Sequence, residues 1–446
     1  MKIHIPDVVR FCLDRLRECG RQGFLVGGAV RDSLRGIRPV DLDISTDALP
    51  ERVLEIFSDI PAHPTGLTHG TVTVVPDGIP IEITTFRRDG VYSDGRRPDS
   101  VTFCSDIRDD VQRRDFTVNG LAADSAGNVH DYVGGIYDLT QKKVRCIGEP
   151  THRFSEDGLR VLRALRFASV LDFSIDKKTS DAIFVSSGLL SDVAVERIWK
   201  EWVLLLCGPG VCAVLRDYAA VFGVIMPELL PMRGFLQKNP CHGFDVFEHT
   251  VRVLSHVPAE KKLRLAALFH DIGKPATFCE DEDGVGHFPG HEKVSRDMAG
   301  NIMHRFHTDT KTREYVEQRV LYHGLDITSS EKLLRKRLSR FGAELLEDLF
   351  AIKRADTLAQ SPKAACRTAE LERAEALFRK IMEEEGALTR RELAIHGEDV
   401  LGVGVSPGKK VGELLSWALE QVLEGTLANE RETLLAAVKR KLDDDL

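Results

Sequence analysis

The chain has 446 residues, 43% hydrophobic and 29% charged. At roughly 100 to 200 residues per domain this predicts about three domains and excludes a stapled mini-protein, a disordered tail and a collagen-like repeat. The formal net charge of −8, from 61 basic and 69 acidic side chains, excludes a protein coated in phosphate-binding charge, although a global sum does not report on a local basic track.

In chain order, the first 135 or so residues read as α/β. An N-terminal amphipathic helix is followed by β-rich runs at Gly23-Phe24-Leu25-Val26, Gly70 to Val75 and Ile79 to Thr84. From about residue 150 helical periodicity takes over, with helices predicted over 156–170, 194–206, 246–257, 260–271, 331–350 and 368–385. Breaks at Gly208-Pro209-Gly210 and across Arg233 to Pro240 mark a division within this helical body. No run approaches the roughly 18 apolar residues of a membrane span, and Met1-Lys2-Ile3-His4-Ile5-Pro6-Asp7 lacks the pattern of a secretory signal. A cytoplasmic protein with no membrane partner is expected. Nine cysteines, odd in number and never spaced Cys-x-x-Cys, argue against a disulfide framework and a zinc ribbon, and are expected as small buried hydrophobes.

Four constellations in the first half carry chemistry. Phe24-Leu25-Val26-Gly27-Gly28-Ala29-Val30-Arg31-Asp32 is a strand entering a paired-glycine turn and then a helix. Such a turn admits close backbone approach, the helix N-terminus offers free N–H donors to an anion, and Arg31 adds a forked cation. Taken alone, a Gly-Gly turn is more often merely a turn. Asp41-Leu42-Asp43 follows. On a strand, positions i and i+2 face the same way, so both carboxylates project together, as two divalent cations about 3.5 to 4 Å apart require. For an isolated Asp-x-Asp a solvent-facing strand edge is commoner. Glu82, alternating with apolar neighbours, is a candidate third carboxylate from an adjacent strand, or a solvated strand residue.

In Arg113-Arg114-Asp115-Phe116-Thr117-Val118-Asn119, Arg114 can clamp phosphates while Asp115 and Asn119 can hydrogen-bond a ribose. Judged alone, a solvated turn is the commoner reading. In the helix predicted from Glu156 to Phe167, Val161, Leu162 and Leu165 share one side, and Glu156, Asp157, Arg160, Arg163 and Arg166 cover much of the opposite half. That half is either a salt-bridged solvated face or a protein template whose carboxylate and guanidinium match the hydrogen-bonding edge of a base.

These four signals, in this order, resemble the class II nucleotidyltransferase family that contains tRNA CCA-adding enzymes and bacterial poly(A) polymerases. Glu196-Arg197-Ile198-Trp199-Lys200-Glu201 is similar to the family's neck motif. Ile395 to Val400, with Ser406-Pro407-Gly408 and Val411-Gly412, is similar to its tail, departing from it at Lys409 where a second proline is usual. The resemblance implies an α+β fold: a small mixed-sheet nucleotidyltransferase head at 1–137, a helical neck with a base-selecting helix at 138–235, an HD-type helical domain at 236–360 and a helical tail at 361–446 that contacts tRNA. It implies that Asp41 and Asp43 bind two catalytic Mg²⁺ ions, and that Gly27, Gly28, Arg31, Arg114, Asp115 and Asn119 hold the nucleotide. Asp157 and Arg160 would read the incoming base, with Glu156 orienting Arg160 and with Arg163 and Arg166 close by. The segment Arg88 to Pro98 is similar to the flexible loop of members that add the terminal A.

Phe247-Glu248-His249, Leu268-Phe269-His270-Asp271-Ile272-Gly273-Lys274 and Arg354-Ala355-Asp356 resemble the HD superfamily, which implies a divalent metal held by His249, His270, Asp271 and Asp356. Imidazoles with carboxylates suit a transition metal able to lower the pKa of water. His291 and His323 are candidates for a second metal position.

The leading expectation is therefore a template-independent, Mg²⁺-dependent nucleotidyltransferase that adds CCA, or its terminal A, to the 3′ end of tRNA from CTP and ATP. Arg335, Lys336, Arg337 and Arg340 are one candidate RNA track, or a solvated helix face. A poly(A) polymerase is the alternative within the class. An HD phosphohydrolase with a nucleotide-sensing head and a non-catalytic RNA-binding protein are alternatives of other classes, and the Asp41 and Asp43 pair speaks against both. The oligomeric state is left open.

Overall fold

The computed structural model describes the chain apart from residues 91, 93–94, 96–98, 240–242, 328–329, 361–364, 384–391, 424–425 and 445–446 and the side chains of 365, 366 and 444. The described residues form two compact units: 1–230 with 305–307, and 231–304 with 308–446.

In the first unit, helix α1 (Asp7–Glu18) buries Val9, Cys12, Leu13 and Leu16, the i, i+3, i+4, i+7 stripe of an amphipathic helix. Then come β1 (Gly23–Val26), α2 (Gly28–Leu34), β2 (Asp43–Thr46), α3 (Pro50–Ile56), β3 (Ala62–Gly66), β4 (Thr71–Val74) and β5 (Ile81–Thr85). A separate antiparallel ribbon of β6 (Arg87–Asp89) and β7 (Val101–Phe103) follows, then α4 (Ile107–Gln112), β8 (Leu121–Ala123) and β9 (Val129–Asp131). Seven of these strands form one sheet in the order β3-β4-β5-β2-β1-β8-β9. β2 and β5 pair in parallel and every other pair is antiparallel, so the expected small mixed sheet is present. The predicted strands correspond to β1, β4 and β5. Alternate residues Val72, Val74, Ile81 and Ile83 join Leu25, Ile44 and the α1 stripe in one core, which leaves the other face of β2 and β5 to polar groups.

From α5 (Gly135–Thr140) onward the unit is helical apart from two two-residue strands: α6 (Pro150–Glu156), α7 (Leu159–Leu171), α8 (Lys177–Ser186) and α9 (Val195–Leu206). Here the structure corrects the sequence reading. The single helix expected over 156–170 is two, because Asp157 is extended (φ −148°, ψ 108°). Its carboxylate accepts the Leu159 N–H at 3.1 Å, the local bond by which Asp competes with helix continuation. Asp41 likewise lies outside the predicted strand, in a bend just before β2. The Gly208–Gly210 break is a turn inside the first unit, before the helix Val211–Asp217.

The second unit is helical. Its helices include Val246–His256, Lys261–Phe269 and Ala365–Glu383, close to their predicted spans, and Thr310–Tyr322, which was not predicted. The one helix expected over 331–350 is instead Glu331–Phe341 and Ala343–Ala359, separated at Gly342 (φ +79°, ψ 164°). A tail of Gly397–Gly402, Lys409–Leu423 and Arg431–Asp444 has its own apolar core around Ile395, Leu414 and Leu434. Among the described cysteines only Cys12 and Cys146 are buried, while Cys19 and Cys279 are exposed, so the expectation of uniform burial is corrected. Part of the Arg88–Pro98 segment lies outside the described residues. Among the described residues no helix is long and apolar enough to cross a membrane.

Gly342→Ala is a direct check on the second break. An L-residue is strained at that φ and ψ, so the substitution is expected to cost about 1–3 kcal/mol in urea unfolding. A helix continuous in solution would instead gain about 1 kcal/mol from replacing Gly by Ala.

Candidate active site

In the first unit, β1 runs into Gly27, whose φ of +70° turns the chain into α2. A Cβ on Gly27 would sit 3.3 Å from Arg114 Nη1, so this glycine serves both the turn and the guanidinium beside it. β2 brings Asp43 next to Gly27, and the parallel register sets Asp43 directly opposite Glu82 on β5. The third carboxylate is therefore where the alternation suggested. Burial, and then the charges of Glu82 and Asp41, push the Asp43 carboxyl above its usual range, while the Arg114 guanidinium pulls the other way. Three oxygen donors crowded until one resists ionising are a set that a hard divalent cation satisfies.

Gly27, Asp41, Asp43 and Arg114, but not the exposed Glu82, line a cleft of about 680 Å³ in which arginines outnumber aspartates by eight to five. The local basic track that the net charge could not reveal is here. Every residue expected to hold the nucleotide or the Mg²⁺ ions lines it except Glu156, which stands behind Arg160. The solvated turn considered for 113–119 is overturned: Asp115 and Asn119 are buried. Asn119 Oδ1 accepts from Arg31 Nη1 at 2.6 Å, and Asn119 Nδ2 donates to Asp115 Oδ1 at 3.3 Å. Asp115 Oδ2 accepts Nε and Nη2 of Arg163 at 2.9 and 2.6 Å.

The break before α7 frees Asp157 from the helix and turns its carboxylate into the cleft. Arg197 of α9 grips it with both terminal nitrogens, at 3.3 and 2.7 Å. Each carboxylate oxygen retains acceptor capacity. Arg160 is fixed by Glu156 and by the Arg153 carbonyl, 3.0 Å away. Arg166 Nε pairs with Glu201 Oε2 at 2.8 Å, and Arg163 Nη1 lies 3.6 Å from Glu201 Oε1. Phe167 forms an aromatic floor, with Arg166 3.6 Å and Arg31 and Arg163 5.5 Å from its ring centre. Arg197, Glu201 and Phe167 were assigned no role from sequence. The Glu196–Glu201 motif was the available signal, and its spacing on α9 aims Arg197 at Asp157, just before α7, and Glu201 at Arg163 and Arg166 within it.

The second unit holds another cluster. His249, His270 and Asp271 are almost fully buried. His249 Nε2 lies 2.9 Å from Asp356 Oδ1 and 3.6 Å from Asp271 Oδ2, and His270 Nε2 lies 3.2 Å from Asp271 Oδ2. The other Asp271 oxygen faces His291 and His323 at 3.4 and 3.7 Å, so one carboxylate borders both histidine sets. His270, His291 and His323 each use Nδ1 to reach the carbonyl three residues earlier, at 2.7 to 2.8 Å. That fixes Nδ1 as the protonated nitrogen and directs the Nε2 lone pairs inward. His270 Nε2 is buried without a hydrogen bond, as a metal-directed lone pair would be. All four expected ligands, and both candidates for a second position, come together. The proposed RNA track is partly paired within its own unit, Arg335 with Glu331 and Lys336 with Glu420.

Against this geometry, a model of the poly A polymerase head domain matches residues 23–145. A model of the RNA and SrmB-binding site of polymerase A matches 172–229, and one of tRNA nucleotidyltransferase domain 2 matches 291–438. The chain is 33% identical to the CCA-adding enzyme of Enterococcus faecalis over 98% of this chain and 97% of that one. It belongs to the CCA-adding enzyme family. The Streptococcus mutans CCA-adding enzyme is 30% identical over 99% of both chains. The crystal structure of the Bacillus stearothermophilus CCA-adding enzyme in complex with CTP superposes with a TM-score of 0.74 at 28% identity, covering 98% of this chain and 97% of that one. Family membership makes the chain a tRNA nucleotidyltransferase with the α+β fold read from its sequence.

Asp115 supplies a pH test of the cleft. Burial opposes its ionisation, but Arg163 and then Asn119 hold its pKa at about 2. A carboxylate with a depressed folded-state pKa stabilises the fold at pH values above the unfolded pKa of about 3.8, and loses that contribution as pH falls through about 2. Urea unfolding should show wild type ahead of Asp115→Asn by on the order of 2 kcal/mol at pH 6, the gap closing below pH 4. A gap that does not change with pH would mean that the Arg163 pair is not formed.

Proposed function

We propose that the first unit adds cytidine and adenosine to the 3′ end of tRNA without a nucleic-acid template, through the cleft between β2 and α7. The observation that carries this reading is the convergence on one cleft of a carboxylate set, a basic wall and an acid and arginine pair positioned to meet a base. Asp41 and Asp43, with Glu82 adjacent, would hold Mg²⁺, an assignment supported by the oxygen-only donor set and the raised Asp43 carboxyl. Bound there, two such ions supply activation of the attacking hydroxyl and neutralisation of the leaving group.

The chain's own residues do the rest. Gly27 and Gly28 let the backbone approach the triphosphate, and Arg31 and Arg114 meet its charge. The tRNA 3′ hydroxyl attacks the α-phosphorus, and the bond to the bridging oxygen breaks to release pyrophosphate. Asn119 and Asp115 border the ribose. Asp157 accepts from, and Arg160 donates to, the incoming base, both held rigid by Arg197 and Glu156, so selectivity comes from pre-set hydrogen bonds. We assign residues 1–137 to the head, 138–235 to the neck, 236–360 to an HD-type domain and 361–446 to a tail that contacts tRNA. Full CCA addition is favoured over A alone and over poly(A) synthesis, because the whole-length relatives are named CCA-adding enzymes. These substrates carry a cytoplasmic location with them.

The test is incubation with Mg²⁺, labelled CTP, ATP, UTP or GTP, and tRNA ending before CCA. Wild type should extend the RNA by CCA, and Asp43→Ala should abolish addition while retaining tRNA binding. Arg160→Ala should lose selectivity, on the order of 1–3 kcal/mol of discrimination, more than triphosphate affinity. Full activity in Asp43→Ala would refute the site.

A second reading concerns the histidine cluster. Its mixed nitrogen and oxygen donors fit a divalent transition metal, and Asp356, the more exposed of its two carboxylates, borders a cavity of about 300 Å³ flanked by Lys353 and Arg367. Bound there, such a metal supplies a lowered pKa to water and polarises a phosphoryl oxygen. We infer a phosphohydrolase centre separate from the transferase. His270→Ala with Asp271→Ala should remove metal-stimulated hydrolysis of a phosphate ester and the equilibrium uptake of Co²⁺ or Ni²⁺, leaving nucleotide addition in place. Unchanged metal uptake would refute it.

A further inference from the structure

Asp110 has no part in the reaction described above, yet it is the most completely buried carboxylate beside the cleft, at 0% exposure on α4. One of its oxygens takes Nε and Nη2 of Arg113, at 2.9 and 2.7 Å. The other takes Nη2 of Arg114 at 3.1 Å and the hydroxyl of Ser45 at 3.2 Å. Ser45 Oγ in turn accepts the same Arg114 nitrogen at 3.1 Å. Ser45 is two residues beyond Asp43 on β2, so it shares the strand face of that carboxylate.

Arg114 is thus pinned by a single nitrogen. Its Nη1 stands beside the Gly27 turn, and its Nε is buried without a hydrogen bond. Two carboxylates compete for this guanidinium. Asp43 feels its charge across the cleft, and Asp110 holds it from below. Burial works against the Asp110 charge, but Arg114 and Arg113 together keep its pKa below the usual carboxylate range, so Asp110 is ionised and able to compete at neutral pH. Were Arg114 released, Asp43, which already feels its charge, would be a carboxylate free to draw it in. A guanidinium lying on Asp43 would occupy the place of a cation and point away from the phosphates.

We propose that Asp110 is a positioning residue that holds Arg114 off the catalytic carboxylate Asp43 and aims its free edge at the phosphates of the incoming nucleotide. The proposal rests on the reading of this cleft as the nucleotide site. It differs from a merely structural role, in which Asp110 would tie α4 to β2 whatever Arg114 did.

The experiment is a double-mutant cycle. Asp110→Asn keeps the volume and one acceptor and removes the charge. Two quantities are read: the Kd for CTP without divalent metal, by isothermal titration calorimetry, and the Mg²⁺ concentration that half-saturates nucleotide addition. Asp110→Asn is expected to weaken metal-free CTP binding by about tenfold and to raise the Mg²⁺ requirement severalfold. In an Arg114→Ala background it should change neither. Ser45→Ala, which removes only the second anchor and no charge, should move both quantities the same way by less, and serves should Asp110→Asn not fold. Equal effects of Asp110→Asn with and without Arg114, or wild-type CTP binding and Mg²⁺ dependence in folded Asp110→Asn, would overturn the positioning alone. A wild-type enzyme that binds no CTP would overturn the nucleotide site and the positioning with it.

Discussion

Guanidinium groups facing a common cleft repel one another, at about 4 kcal/mol for unit charges 4 Å apart near a protein surface, and the architecture of the first unit answers that repulsion. The arginines are backed by buried or half-buried carboxylates: Asp110 behind Arg113 and Arg114, Asp115 and Glu201 behind Arg163, Glu201 behind Arg166, and Glu156 behind Arg160. Asp110, Glu156 and Glu201 stand outside the cleft lining, while Asp115 shares it with the arginine that it pairs. Each counter-charge cancels repulsion in the empty protein and fixes the direction of its arginine, leaving outward N–H groups for a polyanion. Asp157 reverses the pattern, being the carboxylate that faces the cleft with an arginine, Arg197, behind it.

This arrangement explains why the neck helices pack where they do. α7 is bonded on one side to Asp115, which follows α4 in the head, and on the other to Glu201 of α9. Its opposite stripe, including Val161, Leu162, Leu165 and Ala168, is buried. Apolar burial packs the helix among the other neck helices, chiefly α9, and ion pairs with fixed partners set its rotation. A rotation of one residue, 100°, would take Arg160, Arg163 and Arg166 away from their partners together.

Much of the fold could be read in advance because it rests on local patterns: the α1 stripe, the alternation in β4 and β5, and the paired glycine between β1 and α2. The misses have a common origin in groups that act over short distances in ways periodicity does not register. Asp157 interrupts an otherwise regular amphipathic run by capping Leu159, and Gly342 splits another by adopting a φ that L-residues avoid. In the cleft, the residues that face outward were recognisable by type and order. Of those behind them, Glu156 was recognised but Asp110 and Glu201 were not. Asp110 meets Ser45 across 65 positions and Glu201 meets Arg166 across 35, and nothing in a single sequence marks such a pair. The histidine cluster was legible for the opposite reason, since neutral imidazoles beside a carboxylate are uncommon enough that their grouping carries information. What the sequence did not display was that Asp271 turns its two oxygens toward different histidines.

The parallel register between β2 and β5 has a kinetic side. Strands that lie parallel cannot be joined by a tight turn, and here the connection runs from Thr46 to Ile81 through α3, β3 and β4. Asp43 and Glu82 therefore become neighbours only after that excursion has closed, at the cost in loop entropy that slows non-local pairing. Until then the nascent sheet has Asp43, with Asp41 just before its strand, and no third acid, and a chain leaving the ribosome passes through lengths at which it carries two of its three clustered acids and none of α7. Such a chain cannot yet act on the RNA it meets, so competence arrives as a late and cooperative property of the folded head.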